Sequence, residues 1–416
     1  MGIKQILISI TDEETRVALM EGRFLSEIYI ERKAAQSIVG NVYLGKVQNI
    51  LPGMEAAFVD IGEARNAFLS ADDVTSVSEY IEDTKSRRGL GLKKNQAILV
   101  QVSRSPSGSK GARLTTQIAL PSRYLVLVPQ KDFVGISHKV MGKERERLAK
   151  VTTEIKPEKT GVIVRTEAEG EGKPTLIGDL MYLQNQWTRI QRDAKKSTLG
   201  TVIYREMDLP MRIVRDVFNP SYKQILVDSR DKHNEITSYL SEVEPRLVKS
   251  VHLYRRKEPM FKRYKVYEQI RDALKPKIWL KSGGYIVIEE TEALTSIDVN
   301  TGRYVGRTSL EKTILKTNLE AAYEIGHQIR LRDIGGLIVI DFINMEDPAN
   351  REKILTEFSN ALQQDRAKTE VVEISRLGLI EMTRKSFSTG LLDTFAETCL
   401  QCEGKGFTVK KMPVES

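Results

Sequence analysis

Asp298 and Asp341 are the two side chains of this 416-residue sequence that are most suggestive of chemistry. Asp298 lies in Leu294-Thr-Ser-Ile-Asp-Val-Asn300 and Asp341 in Gly336-Leu-Ile-Val-Ile-Asp-Phe-Ile343. An ionised carboxylate inside such an apolar, strand-like run is costly to bury unless it is paired or bound to metal. The pattern predicts a strand, a long helix and a second strand, the unit that joins two parallel strands by a right-handed crossover. On neighbouring strands the two carboxylates can face one another. Asn300, two residues after Asp298, falls on the same side of its strand. Two carboxylates and an amide are all oxygen donors and suit a hard cation such as Mg²⁺. The competing reading pairs each Asp with Arg330 or Arg332; the pair taken with Asn300 favours the metal.

The second cluster is Cys399 and Cys402, in Cys-Leu-Gln-Cys-Glu-Gly-Lys-Gly406, the only cysteines of the chain. Their spacing is half of a four-cysteine zinc site, with glycines that let the backbone turn under the metal. A second copy of the chain across a two-fold axis would supply the other two thiolates. A redox pair or an inert pair are the alternatives; a thioredoxin-type motif would open a helix in a βαβ unit, and this one does not.

The elements that must hold these groups fall into several units, as the length requires. Strands are expected at Lys4–Ile10, Arg16–Met20 and Phe24–Ile30, with a turn at Glu21-Gly22. Short strands such as Gly40–Val47, Ala56–Ile61 and Ala97–Gln101 follow, and suit a small Greek-key barrel of OB type. Strands at Tyr124–Val128 and Val162–Thr166 alternate with helical patterns at Gly142–Thr152 and Gly178–Ala194. The helix between the two Asp strands is expected to start at Ser309, to turn Leu310, Ile314, Ile325 and Ile329 to one face, and to stop near Asp333-Ile-Gly-Gly336. A second helix is expected over Ala349–Lys368.

The net charge is +8, unevenly spread. From Thr84 to Lys131 there is no acidic residue, against ten basic ones, and Arg246 to Lys281 is a second basic-rich stretch. Long stretches of one sign favour a polyanionic partner. No apolar run is long enough to span a membrane and the N-terminus has no signal-peptide pattern, so the chain is expected to be cytoplasmic.

Taken together, these motifs resemble the ribonuclease E/G family over nearly the full length. Gly45-Lys-Val-Gln-Asn-Ile-Leu-Pro-Gly-Met-Glu-Ala-Ala-Phe-Val-Asp-Ile-Gly62 is similar to the family's OB-type RNA-binding domain. Gly161-Val-Ile-Val-Arg-Thr166 is similar to its 5′-end sensor. Leu294–Asn300, Thr317-Asn-Leu-Glu-Ala-Ala322 and Arg332–Phe342 resemble its metal site, and Cys399–Gly406 its zinc link. The resemblance implies a split RNase-H-like fold (residues 1–36 and 211–280) with an inserted OB-type barrel (37–118) and a 5′-sensor domain (119–210). A DNase-I-like α/β catalytic domain (281–397) and the zinc link (398–407) would follow.

Carried onto this sequence, the resemblance makes Asp298 and Asp341 the Mg²⁺ ligands and Asn300 the contact to the scissile phosphate. It assigns Val126, Arg165 and Thr166 to the 5′-phosphate sensor, and Phe58, Phe68, Arg104 and Lys110 to the RNA. Ser122 stands where a sensor glycine often lies, and Lys368 where a supporting arginine often lies. The implied activity is metal-dependent internal cleavage of single-stranded RNA with a preference for a 5′ monophosphate, in mRNA decay or in rRNA and tRNA processing. The implied assembly is a homodimer clasped by one Zn²⁺. The four histidines are scattered, which argues against cleavage by paired histidines through the RNA 2′-hydroxyl. The alternative from another class is a zinc-linked RNA-binding dimer without catalysis, which would leave the Asp pair and Asn300 unexplained.

Overall fold

The computed structural model describes residues 2–74, 91–106, 110–129, 131–302, 310–375, 378–386, 390–404 and 406–408. Ser309 and the basic residues Lys85, Arg87 and Arg88 lie outside them. Among the described residues no helix is long and apolar enough to cross a membrane.

The N-terminal meander forms three antiparallel strands, Lys4–Ile10, Glu14–Glu21 and Phe24–Arg32. Gly22, at φ 66°, makes the expected turn. The same sheet is completed from much later in the chain. Tyr222–Val227 runs parallel to Lys4–Ile10, and Val251–Leu253 parallel to Tyr222–Val227. Two helices pack beside it, each started by a side-chain cap worth about 1 kcal/mol. Asp208 accepts from the Met211 amide ahead of Leu209–Asp216, and Ser229 from the Lys232 amide ahead of Arg230–Val243.

The second unit is a closed five-stranded barrel, consistent with an OB-like domain. Val42–Leu51 pairs with Ala56–Asp60 along one part of its length and with Ala97–Arg104 along another, while Ala67–Ser70 and Arg113–Thr115 complete the circuit. Alternation sends Ala57, Val59, Leu69, Val100 and Leu114 inward. Gly111 is required, because a Cβ there would sit 2.1 Å from the Asn66 carbonyl oxygen.

The third unit is a four-stranded sheet, Phe133–Ile136, Gly161–Val164, Leu125–Val128 and Leu120–Pro121, with helices Gly142–Ile155 and Lys173–Ala194. The second helix starts before Gly178 because Pro174, in its first turn, removes an N–H that would have no partner there.

The last unit is a six-stranded sheet in the order Lys277–Trp279, Tyr285–Glu290, Leu294–Asn300, Gly336–Asp341, Ile380–Arg384, Thr369–Ile374. Leu294–Asn300 and Gly336–Asp341 run parallel, joined through the helix Leu310–Arg332, as the pattern predicts. One sheet face, with Ile286, Ile288, Ile297, Val299, Ile338 and Ile340, packs on that helix and on Pro348–Leu362. Ile325 and Ile329 face this core, but Leu310 is 73% exposed. The small side chains Thr313, Thr317, Ala321 and Ala322 carry the packed face instead.

The second helix ends at Leu362, short of the expected Lys368. The chain turns there because Asp365 accepts from the Ala367 amide and from the buried Arg384 guanidinium (Nε–Oδ2 2.7 Å). Arg384 also bonds Asp333 (2.8 Å) and the Ile334 carbonyl (2.8 Å), so one guanidinium ties together the ends of both helices.

Candidate active site

Asp298 and Asp341 are direct register partners on the adjacent parallel strands. Both are exposed. The expectation that they are buried in apolar runs is therefore corrected. Ile297, Val299 and Ile340 turn toward the helices, and strict alternation leaves the two carboxylates on the open face of the sheet. The pairing with arginines is also absent. Arg330 bonds Glu21 (3.2 Å), and Arg332 bonds the Lys275 carbonyl (2.7 Å) and Gln328. Among the described residues neither Asp forms an ion pair. Asn300 donates its amide to Asp298 Oδ2 at 2.6 Å.

Strands stand about 4.8 Å apart, so two carboxylates side by side repel one another. At ~4 Å that repulsion is roughly 1 kcal/mol in water and larger beside protein. A cation removes it. No group of three or more His, Cys, Asp and Glu is gathered among the described residues. Two carboxylates alone fit an ion such as Mg²⁺, which keeps waters and takes substrate phosphate oxygens as further ligands.

The helix Leu310–Arg332 clamps both strand ends, and this explains the Thr317–Ala322 motif. Asn318, buried, donates to the Ile343 carbonyl (2.8 Å) and accepts from the Ile343 amide (3.1 Å), just beyond Asp341. Glu320 accepts from the Ser282 amide at 2.8 Å, fixing the turn before Tyr285. In that turn a Cβ on Gly284 would meet the Asn300 carbonyl at 2.7 Å and the Thr317 methyl at 2.8 Å. The motif is visible in the sequence, but the positioning of the strands by Asn318 and Glu320 is not. An amide in a helix facing a strand end was the available signal.

Phe58 and Phe68 are cross-strand partners on the outside of the barrel, half-buried, with ring centroids 6.1 Å apart in an edge-to-face arrangement. They are not part of the barrel core. Arg104, at the end of its strand, and Lys110 are exposed. Not every residue of the basic stretch is free for a partner: Arg123 is buried against Tyr124 and the Val214 carbonyl, and Arg113 is paired with Asp73 at 2.8 Å.

Arg165 and Thr166 lie just beyond the strand Gly161–Val164, which is shorter than expected because a 3-10 turn begins at Thr166. Arg165 donates to the Ser122 carbonyl (2.6 Å) and to Asp216 (2.7 Å). Thr166 Oγ1 and Ser137 Oγ are 2.9 Å apart. Val126 sits in the neighbouring strand, opposite Ile163. Ser122, fully buried, donates to Asp179 Oδ1 (2.6 Å), whose other oxygen accepts from the Tyr124 and Leu125 amides. Burial pushes the Asp179 carboxyl up, opposed by these donors. The Ser122 hydroxyl thus anchors the residue whose carbonyl accepts from Arg165. Lys368 pairs with Glu370 instead of supporting this site. The link between the two units comes from Lys139, which donates to the Arg366 carbonyl at 2.8 Å.

Cys399 is exposed and Cys402 partly so, and both are free. The Cys402 and Gln401 amides and the Cys402 side chain hold the Cys399 thiol below its usual range, which favours the thiolate that binds metal. Gly404 and Gly406, at φ 81° and 75°, adopt the left-handed backbone directly after the pair.

The ribonuclease E/G family model matches residues 119–387, spanning the third unit, the completion of the first and the six-stranded sheet. The chain is 42% identical to Ribonuclease G of Escherichia coli over 413 residues, covering 98% of this chain and 84% of that protein. It is 40% identical to Ribonuclease G of Haemophilus influenzae with the same coverage. Against Ribonuclease E of a Nostoc species it is 38% identical, over 98% of this chain and 59% of the relative. A match of this extent, running through the carboxylate strands, the clamp helix and the barrel alike, means that the chain belongs to the ribonuclease E/G family.

Proposed function

We propose that this chain is an endoribonuclease that hydrolyses single-stranded RNA with a divalent cation, Mg²⁺, held by Asp298 and Asp341. The observation that carries the proposal is the side-by-side, exposed setting of those two carboxylates, which form no ion pair among the described residues. Such an ion supplies charge for the phosphate and acidifies water for in-line attack. The protein's share is positioning. The clamps from Asn318 and Glu320 fix the strand ends, and Asn300 keeps one amide N–H for a phosphate oxygen after bonding Asp298. Hydrolysis of this kind leaves 5′-phosphate and 3′-hydroxyl ends.

The six-stranded sheet serves as the DNase-I-like catalytic domain, and the split first sheet as the RNase-H-like part. Phe58 and Phe68, outward on the barrel, receive a base, with Arg104 and Lys110 along the RNA backbone. Arg165, Thr166 and Val126 receive a 5′ monophosphate. Arg165 is already braced by Ser122 and Asp216, so it presents a fixed guanidinium to a phosphate. Cys399 and Cys402 hold half of a Zn²⁺ site, completed by the same pair of a second copy to make a homodimer.

Mass spectrometry of the fragments from a short single-stranded RNA tests the chemistry. We expect 5′-phosphate and 3′-hydroxyl termini. Fragments ending in 2′,3′-cyclic phosphate would rule the mechanism out, and binding without any cleavage would favour a non-catalytic RNA-binding dimer.

A further inference from the structure

On the open face beside the carboxylates, the edge strand Lys277–Trp279 carries two side chains that the proposed chemistry leaves without a task. Trp279 is 62% exposed although it is the largest apolar side chain of its strand. Its cross-strand partner is Tyr285, and Tyr285 in turn is opposite Asn300. In the next row Lys277 is opposite Val287, Val287 opposite Asp298, and Asp298 opposite Asp341. Residues in register point to the same side of a sheet, so both rows lie on one face. Ile278, Ile286 and Val299, between them, point into the core. The two rings meet edge to face with centroids 5.3 Å apart. The Lys277 ammonium stands 4.3 Å from the Trp279 centroid and 3.5 Å from the Tyr285 centroid. From the Trp279 strand to the Asn300 strand is two strand spacings, about 10 Å.

We infer that Trp279 and Tyr285, with Lys277 beside them, form a stacking platform for a nucleobase flanking the scissile phosphate. This rests on the proposed cleavage at Asp298 and Asp341. The Lys277 ammonium covers one face of each ring. The indole, 62% exposed and held at its edge by Tyr285, offers its opposite face to a base, with the cation beneath to meet the phosphate of the same nucleotide. The charge pattern fits a polyanion at this end of the face: the acidic Glu289 lies on the same strand as Tyr285 but beyond Val287, away from Asn300. The sequence held a signal for the platform in Lys277-Ile-Trp279, where alternation around a core Ile sends Lys and Trp to the same side. A platform at this place sets where the chain is cut relative to a base, and it tolerates any base that stacks.

The test uses the full chain and a short single-stranded RNA, with affinity measured without divalent cation and cleavage measured in Mg²⁺. Trp279→Ala is expected to weaken binding roughly 5- to 150-fold, the range of one lost stacking contact. Trp279→Leu, which keeps apolar bulk, should lose nearly as much, and Trp279→Phe should retain most of the affinity. An RNA abasic at the stacked position should bind wild type as weakly as the intact RNA binds Trp279→Ala, with no further loss when the two are combined. In Trp187→Phe, where Trp279 is the remaining indole, RNA should quench the fluorescence. Equal affinity of Trp279→Ala and wild type would overturn the platform. So would a shift of Trp279→Ala from dimer to monomer in sedimentation with RNA affinity per chain unchanged, because the indole would then serve a protein contact. Both results are independent of the metal reading, which is tested separately by cleavage with Asp341→Asn.

Discussion

The carboxylate pair and the Arg165 pocket are built on opposite principles. Arg165 is braced within the protein: a backbone carbonyl and the Asp216 carboxylate both accept from its Nη1, and the buried Ser122–Asp179 pair holds that carbonyl in place. Among the described residues Asp298 and Asp341 have only each other and Asn300. One site is a braced cation that can add a phosphate as a further partner. The other is a repulsive pair that needs a cation from outside. The difference lies in where each group's charge is balanced, and under the proposed function it would separate a site that senses a substrate from one that recruits an ion before it acts.

The largest effect should come from breaking the recruiting site. Asp298→Asn and Asp341→Asn are each expected to lower the cleavage rate by ~10³-fold or more, several kcal/mol of transition-state stabilisation. The circular dichroism spectrum should stay unchanged, because both side chains are exposed. Without metal, either variant should unfold at the same or a slightly higher temperature than wild type, since a repulsion of about 1 kcal/mol is relieved. A clear loss of thermal stability would mean that the carboxylates belong to the fold.

Arg384 gives the sharpest contrast to that pair, as a charge balanced entirely inside the protein. Its side chain is 3% exposed, and Asp365 and Asp333 accept from it. Arg384→Met should destabilise the six-stranded unit by about 3–5 kcal/mol, because Asp365 is left buried and unpaired. Urea unfolding reads this directly, and a change below about 1 kcal/mol would show that the pairing is dispensable.

Replacing Cys399 and Cys402 together by Ser is expected to shift the protein toward monomer and to remove bound zinc. Wild type should carry one zinc per two chains in metal analysis; one per chain would contradict the shared site. At the braced site, a 5′-monophosphorylated RNA should be cut faster than its 5′-hydroxyl twin, by about tenfold or less, and Arg165→Ala should narrow the gap. Matched cleavage rates for the two RNAs in wild type would remove the sensor role.

The smallest effect concerns pH. Burial pushes the His327 imidazole down, but the Glu324 carboxylate and the Leu25 carbonyl outweigh it and hold the group above its usual value. A raised folded value means that the protonated form is favoured by folding. The contribution is complete below the ordinary histidine value of 6.5 and is lost as pH rises through the folded one. Thermal stability should therefore fall on that side by more in wild type than in His327→Gln. Parallel pH profiles would exclude the contribution.

The strand–helix–strand unit that holds the carboxylates is legible because period-two alternation and a long helical pattern are local signals. The same alternation does not tell which face is buried. A strand with apolar residues at every second position can show its polar residues to solvent, and which face is covered depends on helices placed by tertiary packing. The end of the second helix was not legible, since it is set by Asp365 meeting Arg384 from a strand later in the chain. Nor was the role of Ser122, which depends on Asp179 arriving from a distant helix. The platform of Trp279 and Tyr285 joins two strands across a turn, so neither residue signals it alone.

Cleavage of one short single-stranded RNA by wild type and by Asp341→Asn, across a Mg²⁺ titration begun in chelator, tests the central claim most directly. Wild type should be silent in chelator and should gain activity with Mg²⁺, while Asp341→Asn stays near background yet binds the RNA as tightly. Equal cleavage by the two proteins, or wild-type cleavage undiminished in chelator, would contradict the assignment of the carboxylate pair.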